Sequence, residues 1–133
     1  MIGDFMLTQE QIDNIYEDLE HPLHFLWFDI GDAHGVSAAQ EDPASFEERK
    51  KDFLFLIGKL LDEGKFKLGD RKNEIIIEGT TAELVEMFRK CFPASDEELM
   101  KGTWLVTEEC PFIAVWVHKG EGENGEDYYE WAD

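Results

Sequence analysis

The stretch FIAVWVHKGEGENGEDYYEW, residues 112–131, decides how the chain folds. Its first seven residues are rich in β-branched and aromatic side chains and read as a strand. Asn124-Gly125 follows, and because both residues tolerate the positive φ that a type I′ turn demands, the pair predicts a hairpin. The returning strand would occupy residues 128–131. A two-residue loop at Asn124-Gly125 would set Gly120 opposite Tyr129 and Lys119 opposite Glu130, with unlike charges across the ladder. The last strand would be an edge, its acidic residues discouraging further pairing.

Working upstream, residues 103–107 have the same β-branched and aromatic character and are joined to the hairpin by Cys110-Pro111. Residues 66–68 and 74–78 are two further β candidates around a polar turn. The helices announce themselves by capping boxes. Thr80 with Glu83 opens a helix whose apolar stripe is Leu84, Val85, Phe88, Cys91 and Phe92, and Pro93 stops it. Ser45 with Glu48 opens another, with Phe53, Leu54, Ile57, Leu60 and Leu61 at helical spacing and Gly64 as the cap residue. Thr8 with Gln11 opens a helix over about 9–20 that buries Ile12, Ile15, Tyr16 and Leu19. Ser95 and Glu98 start a short turn ending near Gly102. Pro22 separates a short helix over 23–30, and residues 31–44 read as a surface loop.

Helices come early, hairpins follow, and no βαβ alternation is present. The expected class is therefore α+β: helices 46–63 and 81–92 on one face of an antiparallel sheet made mainly of residues 103–107, 112–118 and 127–131. The chain reads as one domain over 1–133, with an acidic helical segment and loop over 1–45 and the α+β core over 46–133.

The net charge of −19 is unevenly spread. Residues 1–48 hold twelve acids and no Lys or Arg; residues 121–133 hold six acids and again no base; the middle is nearly balanced. Such ends repel phosphate backbones and anionic lipid and attract cationic proteins. Two cysteines, Cys91 and Cys110, do not make a secreted disulfide framework, the start lacks the pattern of a signal peptide, and the apolar run at 53–61 is too short to span a bilayer. A cytoplasmic location is expected, with no nucleic-acid or membrane partner.

Catalytic signatures are absent. Ser37, Ser45 and Ser95 lie in no nucleophile elbow. Cys91 sits at a helix C-terminus and Cys110 follows two glutamates, settings that disfavour a thiolate. His21, His24, Asp29, Asp32 and His34 gather five potential ligands within fourteen residues, but Pro22 breaks the geometry that would align His21 with His24. Glu121, Glu123, Asn124, Glu126 and Asp127 lack the glycine and distal glutamate of an EF-hand. No cofactor and no metal site are expected.

A resemblance rests on Leu60-Leu61-Asp62-Glu63-Gly64-Lys65, on Glu78-Gly79-Thr80-Thr81-Ala82-Glu83 with Phe88-Arg89-Lys90 and Phe92-Pro93, and on Gly102-Thr103-Trp104 and Cys110-Pro111 before Val115-Trp116-Val117. Over roughly residues 46–118 the chain resembles a family of small acidic bacterial proteins classed as a domain of unknown function. The resemblance implies no enzyme activity and no motif to carry over. It also implies an association of some relatives with toxin loci, where small acidic neighbours act as immunity proteins.

The leading expectation is a non-enzymatic acidic binding protein, an immunity protein that occludes a basic toxin. Its partner surface would comprise Glu17, Glu20, Trp27, Asp29, Asp32, Glu121, Glu123, Glu126, Asp127, Tyr128 and Trp131, acids for steering with aromatic anchors beside them. The alternatives are a small metal-binding protein or metal-dependent enzyme using His21, His24 and His34, and an oligomeric scaffold or adaptor.

Overall fold

The computed structural model describes residues 7–37 and 40–132. In chain order it contains α1 (Gln9–Tyr16), α2 (Leu23–Ala33), α3 (Phe46–Asp62), β1 (Phe66–Asp70), β2 (Ile75–Ile76), α4 (Thr81–Cys91), a 3₁₀ segment (Met100–Val106), β3 (Phe112–His118) and β4 (Tyr128–Ala132). The strands form one antiparallel sheet in the order β2-β1-β3-β4, so the fold is α+β and β4 is an edge.

Thr8 and Thr80 cap α1 and α4 as expected. Each hydroxyl accepts from the N–H three residues on at 3.1 Å, and the Gln11 or Glu83 side chain accepts from the cap's own N–H at 2.9 Å. Gly64, at φ 72, ends the turn after α3 in the left-handed region that a glycine adopts without strain. Ser45 departs from expectation. Its hydroxyl makes no cap bond and accepts from Arg49 Nε at 2.9 Å. The physical reason is that Arg49 is 1% exposed, so every buried donor needs an acceptor. The rest of its guanidinium donates to both carboxylate oxygens of Asp96 at 2.8 and 2.7 Å and to the Asp42 carbonyl at 2.8 Å.

α1 ends at Tyr16 instead of residue 20, and Glu20 takes φ 76 just ahead of Pro22. α2 runs on to Ala33, past the expected end at residue 30. Within the expected loop over 31–44, residues 38 and 39 lie outside the described residues, as do residues 1–6, the start expected to lack the pattern of a signal peptide.

Residues 103–107 are not a strand. The chain there is a tight 3₁₀ turn entered through positive φ at Met100, Lys101 and Gly102, and it buries the consecutive side chains Trp104 and Leu105. A strand would send successive side chains to opposite faces, whereas both of these enter the core. Gly102 lets α2 approach, since a Cβ there would come within 2.9 Å of the Trp27 and Phe28 rings. The strand that does pair with β3 on its inner side is β1, which matches it from Phe66↔Trp116 to Asp70↔Phe112.

The returning hairpin is also out of the expected register. Val117, not Gly120, faces Tyr129, and Trp116, not Lys119, faces Glu130. The connection spans residues 119–127 and is closed internally by Gly122 N–H donating to the Glu126 carbonyl at 2.8 Å and Gly120 N–H to Asp127 Oδ1 at 3.1 Å. A slip of three residues is odd, so it turns Trp131 to the opposite face of the sheet. There Trp131 lies across β3 onto Gly69, where any Cβ would run into its ring.

The other face carries the core. Phe66, Leu68, Phe112, Ala114 and Trp116 alternate along β1 and β3 and pack under Phe53, Leu56, Ile57 and Leu60 of α3 and Phe88 of α4. Each fully buried Leu, Ile or Phe contributes about 1.5–3 kcal/mol relative to exposure.

Candidate functional site

The α1–α2 connection is tied to the sheet by one long-range bond: Trp116 Nε1 donates to the His21 carbonyl at 2.9 Å. Tyr16 reinforces it by donating to Glu63 Oε1 at 2.6 Å, which holds the end of α1 against the end of α3. Burial, together with the hydrogen bond and charge of Glu63, pushes the Tyr16 phenol above its ordinary range.

As a result Glu20 meets the last residue of β3. The ligand atoms of Glu20, His118 and Glu130 all lie within 4.8 Å of one another. His118 and Glu130 project on the same sheet face, because His118↔Tyr128 and Trp116↔Glu130 are the paired positions. His118 Nε2 lies 2.9 Å from Glu130 Oε1, and Nδ1 lies 3.9 Å from Glu121 Oε2. The ring is 15% exposed. The hydrogen bond to Glu130 raises the imidazole pKa; desolvation opposes it, and the charges of Glu20, Glu121 and Glu130 add to the rise. Beside this cluster, a cavity of about 420 Å³ has Tyr16, Glu17, Glu20, Lys65 and Trp116 among its walls.

A second concavity, about 360 Å³, is walled by Gln11, Asn14, Asp29 and Asp32 between α1 and α2. The Asp29 carboxyl is pushed up to about 7 by burial first, then by a hydrogen bond to Asp18 and by the charges of Asp18 and Asp32.

Of the expected partner surface, Glu17 and Glu20 from the N-terminal part and Glu121 from the C-terminal part are brought to neighbouring positions, while Asp29 and Asp32 face the second concavity. Glu123 is exposed, Glu126 accepts from Asn124 N–H at 3.0 Å, and Asp127 accepts from Gly120. Tyr128, at 53%, is open to solvent, and Trp131, at 38%, is partly spent on Gly69. Trp27 is a correction: it is 3% exposed, stacked among Phe46, Phe53 and Phe92, and a core ring cannot anchor a partner. Sequence reasoning missed His118 and the role of Glu130. The alternation Ala114, Trp116, His118 carried the signal for His118, but the wrong hairpin register concealed Glu130.

The three N-terminal histidines have separate surroundings. His21 lies 3.2 Å from Asp18, and His34 Nε2 lies 2.6 Å from the fully buried Asp52. His24 packs edge-on against Phe25 and Phe28 with Nδ1 buried and unpartnered, and burial lowers its pKa. Among the described residues they do not form a ligand set. Burial raises both thiols, Cys110 to about 11. Among the described residues no helix is long and apolar enough to cross a membrane.

No curated protein matches the sequence. The structure is similar to that of an uncharacterised protein conserved in bacteria, from Neisseria meningitidis, with 30% identity and a TM-score of 0.63 over 90% of this chain and 84% of that one. Residues 61–132 match the family described as protein of unknown function DUF596. On that match, and on the 30% identity to the Neisseria protein, the chain belongs to the DUF596 family.

Proposed function

We propose that this is a non-enzymatic binding protein whose acidic face occludes a basic protein partner, in the manner of a cytoplasmic immunity protein against a basic toxin. The observation that supports this reading most is the meeting of the two acid-rich ends: Glu20 from residues 1–48 and Glu121 and Glu130 from residues 121–133 converge on one imidazole. Among the described residues no Lys or Arg forms an ion pair with any of the three. Concentrated charge of one sign steers a cationic partner at enhanced rates. Tyr128 on the edge strand, 53% exposed and on the same sheet face as His118 and Glu130, supplies the aromatic area that charge alone lacks.

The test captures a basic partner from the native host with the tagged full chain and measures its association with the purified chain by stopped flow. Glu17→Lys, Glu121→Lys and Glu123→Lys together should slow association, and the wild-type rate should fall steeply between about 0.1 M and about 1 M salt, as the screening length shrinks from roughly 10 Å to 3 Å. The control triple is Glu97→Lys, Glu108→Lys and Glu109→Lys, three exposed acids elsewhere. Equal losses in both triples, or an on-rate indifferent to salt, would reduce the acidic face to a solubility device.

A further inference from the structure

The geometry points to a binding site for a first-row transition-metal dication, of the Mn²⁺ to Zn²⁺ series, formed by Glu20, His118 and Glu130. The three come from different segments, each fixed in place. His118 ends β3, Glu130 lies in β4, and Glu20 precedes the His21 carbonyl that Trp116 holds. Their ligand atoms are already within 4.8 Å of one another.

The distances suit an ion. His118 Nε2 and Glu130 Oε1 are 2.9 Å apart, the separation of two ligands each about 2.0–2.2 Å from a metal and subtending roughly a right angle. Glu20 is exposed, so its carboxylate can rotate to close the third side. A metal-bound imidazole characteristically donates its second N–H to a carboxylate; here the carboxylate nearest Nδ1 of His118 is Glu121 Oε2 at 3.9 Å, beyond a hydrogen bond, so that Glu121 contributes by its charge and reaches Nδ1 only after a small side-chain rotation.

Charge argues the same way. Three carboxylates surround one imidazole, and among the described residues no Lys or Arg pairs with them. A dication balances two carboxylates and accepts a neutral nitrogen. The imidazole also sets the class of ion, because Ca²⁺ and Mg²⁺ take oxygen ligands, whereas nitrogen with carboxylate oxygen suits Mn²⁺ through Zn²⁺. Three protein ligands leave at least one coordination position unfilled by protein, and Glu20 also forms part of the wall of the adjoining cavity. This site shares no ligand with the His21, His24 and His34 set, and it stands whether or not a basic partner binds.

The test is calorimetric titration of the full, chelator-treated chain with ZnCl₂ and with MnCl₂ at about pH 7.5, above the ordinary imidazole range, so that protons compete less for the ligands. One ion per chain is expected, and His118→Gln and Glu130→Gln should each weaken binding at least about tenfold, with a smaller loss for Glu121→Gln. His21→Ala should bind as wild type does. Circular dichroism establishes that each variant folds. Should one not fold, long-range ¹H–¹⁵N spectra of the wild type decide: displaced His118 nitrogen resonances at one equivalent of Zn²⁺ support the site, and unmoved ones overturn it. Zn²⁺ binding that His118→Gln leaves intact, no binding tighter than about 1 mM, or displacement of Zn²⁺ by equimolar Ca²⁺ would also overturn it.

Discussion

The indole of Trp116 donates to the carbonyl of His21 across 95 residues of sequence, and through this bond the N-terminal helices are fastened to the sheet. Trp116→Phe keeps an aromatic ring in the core but leaves that carbonyl without its donor. The expected loss is about 1–3 kcal/mol, from the bond and from the vacated volume, read as a lower urea midpoint. Amide exchange should quicken over residues 16–24 before it does in β1; uniform quickening would contradict the fastening.

Asp29 makes stability depend on pH in an unusual direction. Its folded pKa of about 7 is raised above the ordinary carboxyl value, so the folded state holds a proton that the unfolded chain releases. That contribution is present at low pH and is lost as pH rises from about 4 towards 7. Asp29→Asn should therefore stabilise the protein at pH 8, by about 1 kcal/mol once the partial exposure of the group is allowed for, and the gain should vanish near pH 4. Denaturant melts at the two pH values check this; a gain independent of pH would remove the titration from the explanation.

The buried Arg49–Asp96 pair predicts strong non-additivity. Asp96→Asn strips the guanidinium of its counter-charge in a site 1% exposed and should cost about 3–5 kcal/mol. Arg49→Met with Asp96→Leu should cost less than the two single changes summed, because no orphaned charge remains, although the Asp42 N–H still loses its acceptor. A double-mutant cycle by guanidinium melts measures the coupling, and additive losses would mean that the pair is not desolvated.

Gly69→Ala should dislodge Trp131, since the new methyl and the ring claim the same space. A cost of about 1–3 kcal/mol is expected, with a red-shifted indole emission visible when the other three tryptophans are replaced. In a Trp131→Val background the same glycine change should be nearly silent. A full cost there would place the strain in the strand backbone instead.

What the sequence shows best is local. The Thr8 and Thr80 boxes, the stripe of α3 and the β-character of residues 112–118 depend on neighbours within four residues, and they appear as read. Failures occur where a distant partner decides. Ser45 has the pattern of a cap, but Arg49, buried to reach Asp96, claims its hydroxyl. Residues 103–107 have strand-like composition, but the core takes both Trp104 and Leu105, which only a turn can deliver. Asn124-Gly125 has hairpin chemistry, yet bonds inside the longer loop use it as an inner corner and slip the ladder by three. The acidic ends were legible as charge. Their meeting at His118 was not, because it depends on that slip and on Trp116 reaching His21.

The strand order also governs when the molecule can assemble during synthesis. β1 has its main partner, β3, on the far side of α4 and the 3₁₀ segment, so a ribosome-bound chain that has released α1 to α4 and β1 still has that strand paired only with the two residues of β2. Pairing at such sequence separation is slow, and it leaves apolar edge exposed meanwhile. α1 and α2, although made first, can pack on α3 early through Tyr16 and Trp27, but their bond to the sheet waits until Trp116 emerges.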